Sequence, residues 1–600
     1  MRYILIFTLF VAPIIIFGQS PYILPGTISD DIADRWDILY DFDHKVFSSQ
    51  RNISRKELTQ RALQIALKAK LSKLEEWDKN YILKDNNEYS ALLTDETKDE
   101  TLPSRRKVYD STGVFYHLED DPILVNKPLI EKENKGLLGY FYKSDANFFE
   151  VNSENFEMRV NPILNLQYGN GADDPSIIFQ NTRGVEFRGL IDNKIYFYTS
   201  ILENQAHFNN YLEDRISRFS TIGGQSFYKD YKSGLIESLE GYDYLNAQAY
   251  VGINATKSVA IEFGHGKHFL GNGIRSLLLS DYSTNYFYLK FNTRIWKFHY
   301  QNIFAELAPI STKLNPGDRF LPKKYMANHY LSFKPTKNFE IGIYEAVIFA
   351  RENHFEFQYL NPIILYRSVE QFLDSSDNVL IGLNAKWNIK NRIQLYGQVM
   401  LDEFNLSEIT AGNGWWANKY GLQAGLKYIN VGGIDHLDAQ IEYNRVRPYT
   451  YGHSDSLSIF PSISNANYSH HSQPLAHPLG SNFSEIILNV KYRLGKNTFI
   501  NGRIVSAKYG QNPVGKNFGS NILLSTESRE RDYDNYIGQG IETNLISIGL
   551  DISYHMFHNY FWDLHLLYRK ADAEIDDLDI DTKYIGGGLR VNIGNIISDY

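Results

Sequence analysis

The chain has 600 residues, a formal net charge of -9 and no cysteine. This length exceeds a single ordinary globular core, and the lack of cysteine excludes disulfides and thiolate metal sites. The negative charge is spread along the chain rather than gathered in a tail, so nucleic acid is not an expected partner.

The N-terminus has the composition of a secretion signal. Met1-Arg2 supplies positive charge, residues 3–17 are largely apolar, and Gly18 offers a small residue for cleavage. The apolar run is short for a spanning helix, so we predict a cleaved signal peptide over residues 1–18 rather than a membrane anchor. No later stretch approaches about twenty apolar residues, and no transmembrane helix is predicted.

Residues 19–106 predict a small helical region in the periplasm. Ser54 and Glu57 have the spacing of a capping box, and apolar residues follow Glu57 at helical intervals. Residues Asp31–Tyr40 predict an earlier helix. We expect these helices to pack against a barrel mouth, with binding of a partner protein as the alternative.

From Glu157 onward, about ten alternating residues and then a polar turn recur many times. In Ile393–Asp402, apolar residues share one strand face, and Gln394, Tyr396 and Gln398 share the other. Such segments begin near Glu157, Ile177, Lys194, Tyr242, Val259, Tyr286, Arg294, Tyr325, Phe339, Val379, Arg392, Lys419, Leu437, Ser484, Thr498, Asn544, Tyr560 and Lys583.

This repetition predicts an all-β membrane protein, an outer-membrane antiparallel β-barrel of about 18 strands. The barrel is expected over residues 157–600, after a connecting or plug segment over 107–156. Strand boundaries from sequence leave roughly sixteen to twenty strands possible. The 43 tyrosines and 36 phenylalanines fit the aromatic girdles of such barrels.

The connections alternate in length, as expected for short periplasmic turns and long external loops. Short turns include Asp192-Asn193 and Lys390-Asn391. The long connections are residues 209–241, 266–282, 351–378, 402–417, 447–482 and 512–541. The terminal Tyr600 is typical of strands that the barrel-assembly machinery recognises, although it is out of phase with the last alternating segment.

A glycine-rich run, Gly264–Gly273, lacks the Gly-Lys-Ser/Thr ending of a phosphate loop. We interpret it as a strand-to-loop turn, beside which Lys267, His268 and Arg275 could contact an anionic ligand. The pairs His265/His268 and His470/His471, with His477, are interpreted as loop histidines. No metal site and no cofactor are predicted.

Two aromatic segments are the best candidates for ligand binding. Trp415 and Trp416 could stack on sugar rings, or form part of a girdle or loop core. A second segment combines cationic and aromatic side chains, which could bind an acidic polysaccharide. Alternatively, its arginines could pair with acidic residues of the lumen such as Asp402 and Glu403. Its residues are Arg445, Arg447, Tyr449, Tyr451 and His453.

No nucleophile elbow of the Gly-x-Ser-x-Gly type is present, and no other catalytic constellation was found. We therefore expect a protein that is not an enzyme.

Five segments carry a family resemblance: Phe141–Val151, Gly264–Ser283, Met400–Phe404, Arg445–His453 and Gln473–Phe483. They resemble the capsule-assembly Wzi family, and most of all its Bacteroidetes branch, which includes the gliding-motility protein RemB. The resemblance implies an outer-membrane barrel with N-terminal helices and lectin-like attachment of capsular polysaccharide to the cell surface. No sugar-binding residue is carried over, so the candidate residues depend on their chemistry alone.

Three functions follow as hypotheses. The first is an outer-membrane barrel that binds surface polysaccharide and retains capsule or exopolysaccharide. The second is a motility component that works with gliding and secretion machinery, and the third is a diffusion porin. Inward tyrosine, arginine and aspartate residues and the segment before Glu157 favour a filled lumen over an open pore. The expected partners are outer-membrane lipid, capsular or extracellular polysaccharide and, during insertion, the barrel-assembly machinery.

Overall fold

The computed structural model describes part of the chain. Described are residues 19–600, apart from residues 41, 43–45, 52, 69, 90–105, 110–114, 119–138, 154, 173–175, 235–238, 315–321, 352–354, 376, 455–463 and 596–598. The predicted signal peptide, residues 1–18, lies outside the described residues, as does most of the connecting segment before Gly139.

Eighteen antiparallel strands form a closed barrel, because the last strand pairs with the first. In chain order they are β1 (Phe156–Gly171), β2 (Ile177–Ile191), β3 (Ile195–His207), β4 (Glu240–Asn254), β5 (Val259–Gly266), β6 (Tyr286–Ile295), β7 (Phe298–Leu307), β8 (Lys324–Thr336), β9 (Phe339–Phe349), β10 (Asn378–Ile389), β11 (Ile393–Glu403), β12 (Lys419–Tyr428), β13 (Leu437–Val446), β14 (Phe483–Leu494), β15 (Thr498–Gln511), β16 (Ile541–Phe557), β17 (Tyr560–Ala573) and β18 (Ile580–Val591).

The predicted barrel is confirmed, including the number of strands. The largest difference in a strand start is at β7, which begins at Phe298 rather than near Arg294. Arg294 and Ile295 still belong to β6, and the turn falls on Trp296, whose φ is 55°. Short strands Phe149–Asn152 and Lys229–Lys232 add to β1 and β4.

Alternation along each strand separates the two faces of the wall. On β11, Leu395 and Val399 point outward and are 38% and 37% exposed, whereas Tyr396, Gln398 and Met400 point inward and are buried. Apolar side chains thus cover the outside and polar or large ones face the lumen. This is the arrangement that a barrel in lipid requires. None of the described helices is both long and apolar enough to span a membrane.

The two ends of the barrel differ in their connections. At one end, hereafter the short-turn end, tight turns join the strands. Asp192 and Asn193, and likewise Lys390 and Asn391, have positive φ angles between 51° and 54°. Two such residues in succession give a type I′ turn, whose twist matches that of the paired strands. Long connections lie at the other end, the long-loop end.

Helices α1 (Ile28–Leu39), α2 (Arg55–Lys68) and α3 (Lys73–Asp85) occupy the short-turn mouth. They form the plug, defined here as the described residues of 19–89. Thr27 caps α1, and Ser72 with Glu75 forms a full capping box for α3. Ser54 Oγ accepts from the Glu57 N–H as predicted for α2. Helix α3 was not predicted.

Opposite charges join the plug to the wall. In almost all of these pairs the carboxylate is on the plug and the cation is on a strand. The pair Arg35–Asp438 is reversed, with the cation on the plug and the carboxylate on the strand. The pairs, plug residue first, are Asp31–Lys491, Asp34–Lys427, Asp37–Lys386, Glu57–Arg294, Asp78–Arg493 and Glu88–Arg188. We call this set the ion-pair ring.

The lumen has a packed half and an open half. The packed half lies against β3–β11, where residues 267–285, the inner loop, fold into the barrel instead of outward. Leu270, Leu277, Leu278 and Leu279 of this loop are at most 1% exposed. The open half lies against β15–β18 and β1 and contains cavities lined by charged, polar and apolar side chains. The predicted filled interior therefore holds for one side of the lumen.

Side chains of the wall hold the inner loop in place. Gln398 bonds the backbone at Leu270 and Leu277, and Glu442 accepts the N–H groups of Ile274 and Arg275. Gly271 has φ 128°, and a Cβ there would lie 2.3 Å from Gln398. Only glycine adopts this φ readily and also leaves room for the Gln398 side chain.

The connection between β9 and β10 lies on the outer wall, although it was predicted as an external loop. Its helix, Tyr366–Leu373, stacks Tyr366 on the outward-facing His329 with ring centroids 4.0 Å apart. Asn302 donates to the carbonyl of Pro362 at 3.2 Å. Polar wall residues thereby satisfy backbone groups of this segment that lipid would leave unpaired.

Candidate functional site

A cleft at the long-loop end combines arginines with aromatic rings. It is a cavity of about 270 Å³ between helix Asn210–Phe219, which we call α4, the loops 447–482 and 512–540, and the ends of β15, β17 and β18. We call it the arginine cleft. Its charged and aromatic lining residues are Tyr211, Asp214, Arg215, Arg218, Phe219, Tyr509, Arg569 and Tyr600.

Arg569 is the least satisfied cation of the cleft. It points inward from β17 and is 5% exposed. Its Nε and Nη1 atoms are buried without a hydrogen-bond partner, and its guanidinium lies 4.4 Å from the Tyr211 ring centroid. Among the described residues no carboxylate binds these two atoms. A buried cation without a counter-charge is costly, so an anionic group entering the cleft would bind favourably.

Helix α4 brings a second cation to the same space. Tyr211, Arg215 and Phe219 are four residues apart and therefore share one helix face. Arg215 donates to the carbonyl of Pro478 at 2.8 Å and lies 5.2 Å from the Phe219 ring centroid. Within the part of the chain that the structure describes, this is the one hydrogen bond of its guanidinium, and the other donors remain for a ligand. Arg218 differs, since an exposed ion pair with Asp214 at 2.9 Å engages it.

A second group, the aromatic cluster, is built partly on the same loops. Trp415 and Trp416 meet edge to face at 6.3 Å, and Trp416 meets Tyr449 in the same way at 6.2 Å. Arg529 lies 4.3 Å from the Trp416 ring centroid. Both tryptophans are partly exposed. Ring faces and cations that reach water together can bind the apolar faces and polar edges of sugars.

The structure brings several residues of the predicted cation–aromatic segment to this cluster. Arg447 donates to the carbonyls of Asn418 and Trp415. Tyr449 bonds Asn517, and burial raises its pKa to about 12, so its hydroxyl stays protonated. His453 lies 3.6 Å from Glu403.

The other two residues of that segment lie elsewhere. Tyr451 is fully buried and donates to the carbonyl of Leu277 in the inner loop. Arg445 points out of the barrel and is exposed. The proposed pairing of these arginines with lumen acids is not seen among the described contacts, because Asp402 accepts from the Tyr451 N–H and Glu403 binds Lys419.

The inner loop holds the first three predicted residues inside the barrel. Arg275 pairs with Glu485 and Asp599 and lies 5.3 Å from the Tyr600 ring centroid. His268 is buried against Tyr286 and Tyr288, and burial with nearby Lys290 lowers its pKa well below the usual value. Burial also lowers the pKa of Lys267. These groups are thus engaged in packing between the loop and the wall.

The histidines considered as metal ligands are also engaged by protein groups. His470 accepts from the Ala308 N–H at 3.0 Å, and His477 lies 2.8 Å from Glu485. Within the described part of the chain, no group of at least three histidine, aspartate and glutamate side chains could hold a metal ion.

The terminal Tyr600 is buried in the lumen, where its hydroxyl donates to Glu485 at 2.6 Å. The last strand ends at Val591, so this aromatic residue is not the end of a strand.

Sequence reasoning did not find Tyr211, Arg215 or Arg569. The spacing of residues 211, 215 and 219 on an amphipathic segment was the available signal for the first two. Arg569 lies in an alternating strand like many others, and only the fold places it beside α4. No carboxylate of the described residues binds its Nε or Nη1 there.

The chain matches a family profile in sequence and solved structures in fold. The sequence profile described as capsule assembly protein Wzi matches residues 216–583. Wzi of Escherichia coli, an outer membrane protein involved in group 1 capsule assembly and a carbohydrate-binding β-barrel, is similar at 13% identity. The match covers 96% of this chain and 100% of that chain with a TM-score of 0.52, which shows a shared fold.

Two further solved structures match less well. OccAB2 of Acinetobacter baumannii is 7% identical over 72% of this chain and 97% of that chain, with a TM-score of 0.38. OprD of Pseudomonas aeruginosa is 10% identical over 72% and 94%, with a TM-score of 0.38. No curated protein sequence matches the chain. Because the matched profile spans more than half of the residues, the chain belongs to the capsule assembly protein Wzi family.

Proposed function

We propose that this protein is a non-enzymatic outer-membrane barrel that binds acidic surface polysaccharide at its long-loop end and retains capsule or exopolysaccharide on the cell. The observation that carries the proposal is the arginine cleft, where Nε and Nη1 of buried Arg569 have no carboxylate partner among the described residues. Carboxylate groups on a polysaccharide would supply the missing counter-charge through charge-assisted hydrogen bonds.

The aromatic cluster supports the same function. Trp415, Trp416 and Tyr449 place rings beside cations at the end of the barrel that carries the long loops. Outer-membrane barrels turn this end to the exterior, where a surface polymer is available. A polymer offers several binding units, so a cleft and a separate aromatic cluster can act on one chain and add avidity.

Binding is tested with the purified full-length barrel and acidic polysaccharide from the native host. We expect retention of that polymer above the level of an unrelated barrel of similar size. Retention should fall when the carboxyl groups of the polymer are converted to neutral amides. Equal retention by both barrels would remove the basis of the proposal.

The role in the cell needs a separate experiment. A deletion strain should lose surface polysaccharide to the medium, and the intact gene should restore it. The resemblance to gliding-motility proteins of the Bacteroidetes branch makes colony spreading the second trait to score. Loss of spreading with full capsule retention would assign the protein to motility instead.

A further inference from the structure

The connections at the short-turn end are rich in cations. They are residues 192–194, 255–258, 296–297, 337–338, 390–392, 429–436, 495–497 and 558–559. Most of them contain a lysine, and the connection 390–392 also contains an arginine. We call the exposed cations of these connections the cationic collar, and its members are Lys194, Lys257, Lys337, Lys390, Arg392 and Lys496.

The collar carries an excess of positive charge. None of its six cations forms an ion pair with another residue that the structure describes. The same connections contribute two carboxylates, Asp192 and Asp435. Asp435 is already engaged, because it accepts from Ser72 at 2.8 Å and lies 2.8 Å from His436. The collar therefore presents cations whose counter-charge must come from outside the described surface.

Several lysines near the long-loop rim differ in this respect. Lys323 pairs with Glu306 at 2.6 Å, Lys508 with Glu542 at 2.7 Å and Lys570 with Asp572 at 2.6 Å. Their side chains are 40–51% exposed, so they also reach water. Exposure alone thus does not prevent a rim lysine from having a carboxylate partner, and the collar lacks such partners on the described surface.

Aromatic rings place the collar at the edge of the membrane. Trp296 and Trp387 point outward at the short-turn end and are 65% and 48% exposed. Phe339 pairs with Trp387 across the two strands. Rings of this kind mark the boundary between hydrocarbon and headgroups. Lys337 and Lys390 lie two and three residues beyond these rings in the chain, at the level of the headgroups.

The collar follows the rim rather than forming one pocket. Lys194, Lys257, Lys337 and Lys390 belong to connections within β2–β11, each two strands or more from the next. Strands are about 4.8 Å apart, so successive connections lie roughly 10 Å apart along the rim. Cations at this spacing suit a row of separate anions better than one compact ligand.

We propose that the cationic collar binds the phosphate groups of anionic phospholipids in the leaflet at the short-turn end. Outer-membrane barrels turn their short connections to the periplasm, so this is the inner leaflet of the outer membrane. Lysine and arginine form charge-assisted hydrogen bonds with phosphate, and anionic headgroups attract basic residues near the membrane surface. The apolar wall ends where the collar begins, so acyl chains packed on the wall hold their headgroups beside these cations.

The test is electron spin resonance of the full-length protein in phosphatidylcholine vesicles. The probes are spin-labelled phosphatidylglycerol, which is anionic, and spin-labelled phosphatidylcholine, which has no net charge. The spectrum gives the fraction of each probe held at the protein surface. At low salt we expect phosphatidylglycerol to associate at least about twofold more strongly than phosphatidylcholine. The preference should decline as added salt screens the exposed charges.

A collar variant should lose the preference. It carries Lys194→Gln, Lys257→Gln, Lys337→Gln, Lys390→Asn, Arg392→Gln and Lys496→Gln. Asparagine is used at position 390 because φ is 51° there, a conformation that asparagine tolerates. A smaller variant with the changes at residues 257, 337 and 390 alone should lose part of the preference, and it serves if the sixfold variant does not fold.

The matched control removes paired charges from the long-loop rim. It carries Glu306→Gln, Lys323→Gln, Lys508→Gln, Glu542→Gln, Lys570→Gln and Asp572→Asn, which leaves the net charge unchanged. Heat-modifiable migration verifies that each variant is a folded barrel. The control should retain the preference of the unmodified protein for phosphatidylglycerol.

Three results would overturn the proposal. One is a folded collar variant with the preference of the unmodified protein, and another is an equal loss in the collar variant and the control. The third concerns a soluble polymer as the occupant. If the unmodified protein showed no lipid preference, but bound polygalacturonate in detergent and lost this binding in the collar variant, the collar would serve a polymer instead.

Discussion

The two ends of the barrel handle buried charge in opposite ways. At the short-turn end, strand cations such as Lys386 and Arg493 meet carboxylates of the plug. At the long-loop end, Arg569 is as deeply buried, but its Nε and Nη1 have no carboxylate partner among the described residues. A complete set of pairs holds a part of the protein in place, and an incomplete set leaves binding energy for a ligand. Buried arginine thus pairs with the plug at one end and, in the proposed function, recognises a ligand at the other.

The largest effect is expected from breaking the ion-pair ring. Lys386→Met leaves Asp37 buried without its 2.6 Å partner, which costs about 3–5 kcal/mol. We expect the plug to loosen, and limited proteolysis between α1 and α3 should measure it. Lys508→Met is the control, because its pair with Glu542 is 42% and 37% exposed. Equal cleavage rates in both variants would refute a clamping role for the ring.

The next effect concerns the arginine cleft. Arg569→Gln removes the unpaired charge and should weaken binding of an acidic polysaccharide by roughly 10–100-fold. Calorimetry or surface plasmon resonance with the native polymer checks this value. Arg218→Gln should change affinity little, since Asp214 already engages that side chain. If both substitutions behaved alike, the lack of a partner at Arg569 would have no bearing on binding.

A fall in pH should destabilise the long-loop end before the short-turn end. Burial with neighbouring His471 and Lys324 lowers the pKa of His470 well below normal, and burial lowers that of His471 to about 4. Their contribution to stability is complete above about pH 6.5 and declines as pH falls toward 4, by about 1.4 kcal/mol per pH unit for each histidine.

The plug carboxylates respond in a lower range. Burial would raise the pKa of Asp34 and Asp37, but nearby cations hold both below their ordinary value. Their contribution is present above about pH 4 and is lost only as pH falls through the lowered values. When the pH falls from 7 to 5, the loop 447–482 should therefore lose protection from hydrogen exchange. The protection of the plug should stay the same. Loss of protection in the plug first would contradict this order.

The smallest effect is expected at the aromatic cluster. Replacing Trp415 and Trp416 by alanine should weaken polysaccharide binding by about threefold to tenfold, because ring contacts contribute modestly. Barrel insertion should be unaffected, as judged by heat-modifiable migration. Unchanged affinity would assign both rings to loop packing.

The wall of the barrel could be predicted from sequence because the pattern is local. Each strand alternates residue by residue, and turns such as Asp192-Asn193 have their own signature. Helix α3 was missed although Ser72 and Glu75 stand at capping-box spacing.

The direction of the long connections could not be predicted in the same way. The inner loop enters the lumen because side chains of the wall bind its backbone there. Gln398 accepts a hydrogen bond from the Leu277 N–H, and Glu442 accepts one from the Ile274 N–H. The segment around Tyr366 lies on the outer wall because His329 stacks on Tyr366 and Asn302 donates to the carbonyl of Pro362. These partners are distant in sequence, and their positions are known only once the barrel is closed. The same holds for Arg569, whose lack of a counter-charge is a property of the fold.

The inner loop connects the two ends of the barrel by direct contacts. Its Gly271 N–H donates to the Ser49 carbonyl of the plug at 2.6 Å, and its backbone is bonded to Gln398 of β11 and Glu442 of β13. The carbonyl of Leu277, in the same loop, accepts from Tyr451 of the loop 447–482. A displacement of the plug therefore has a short path of contacts to the long loops at the opposite end.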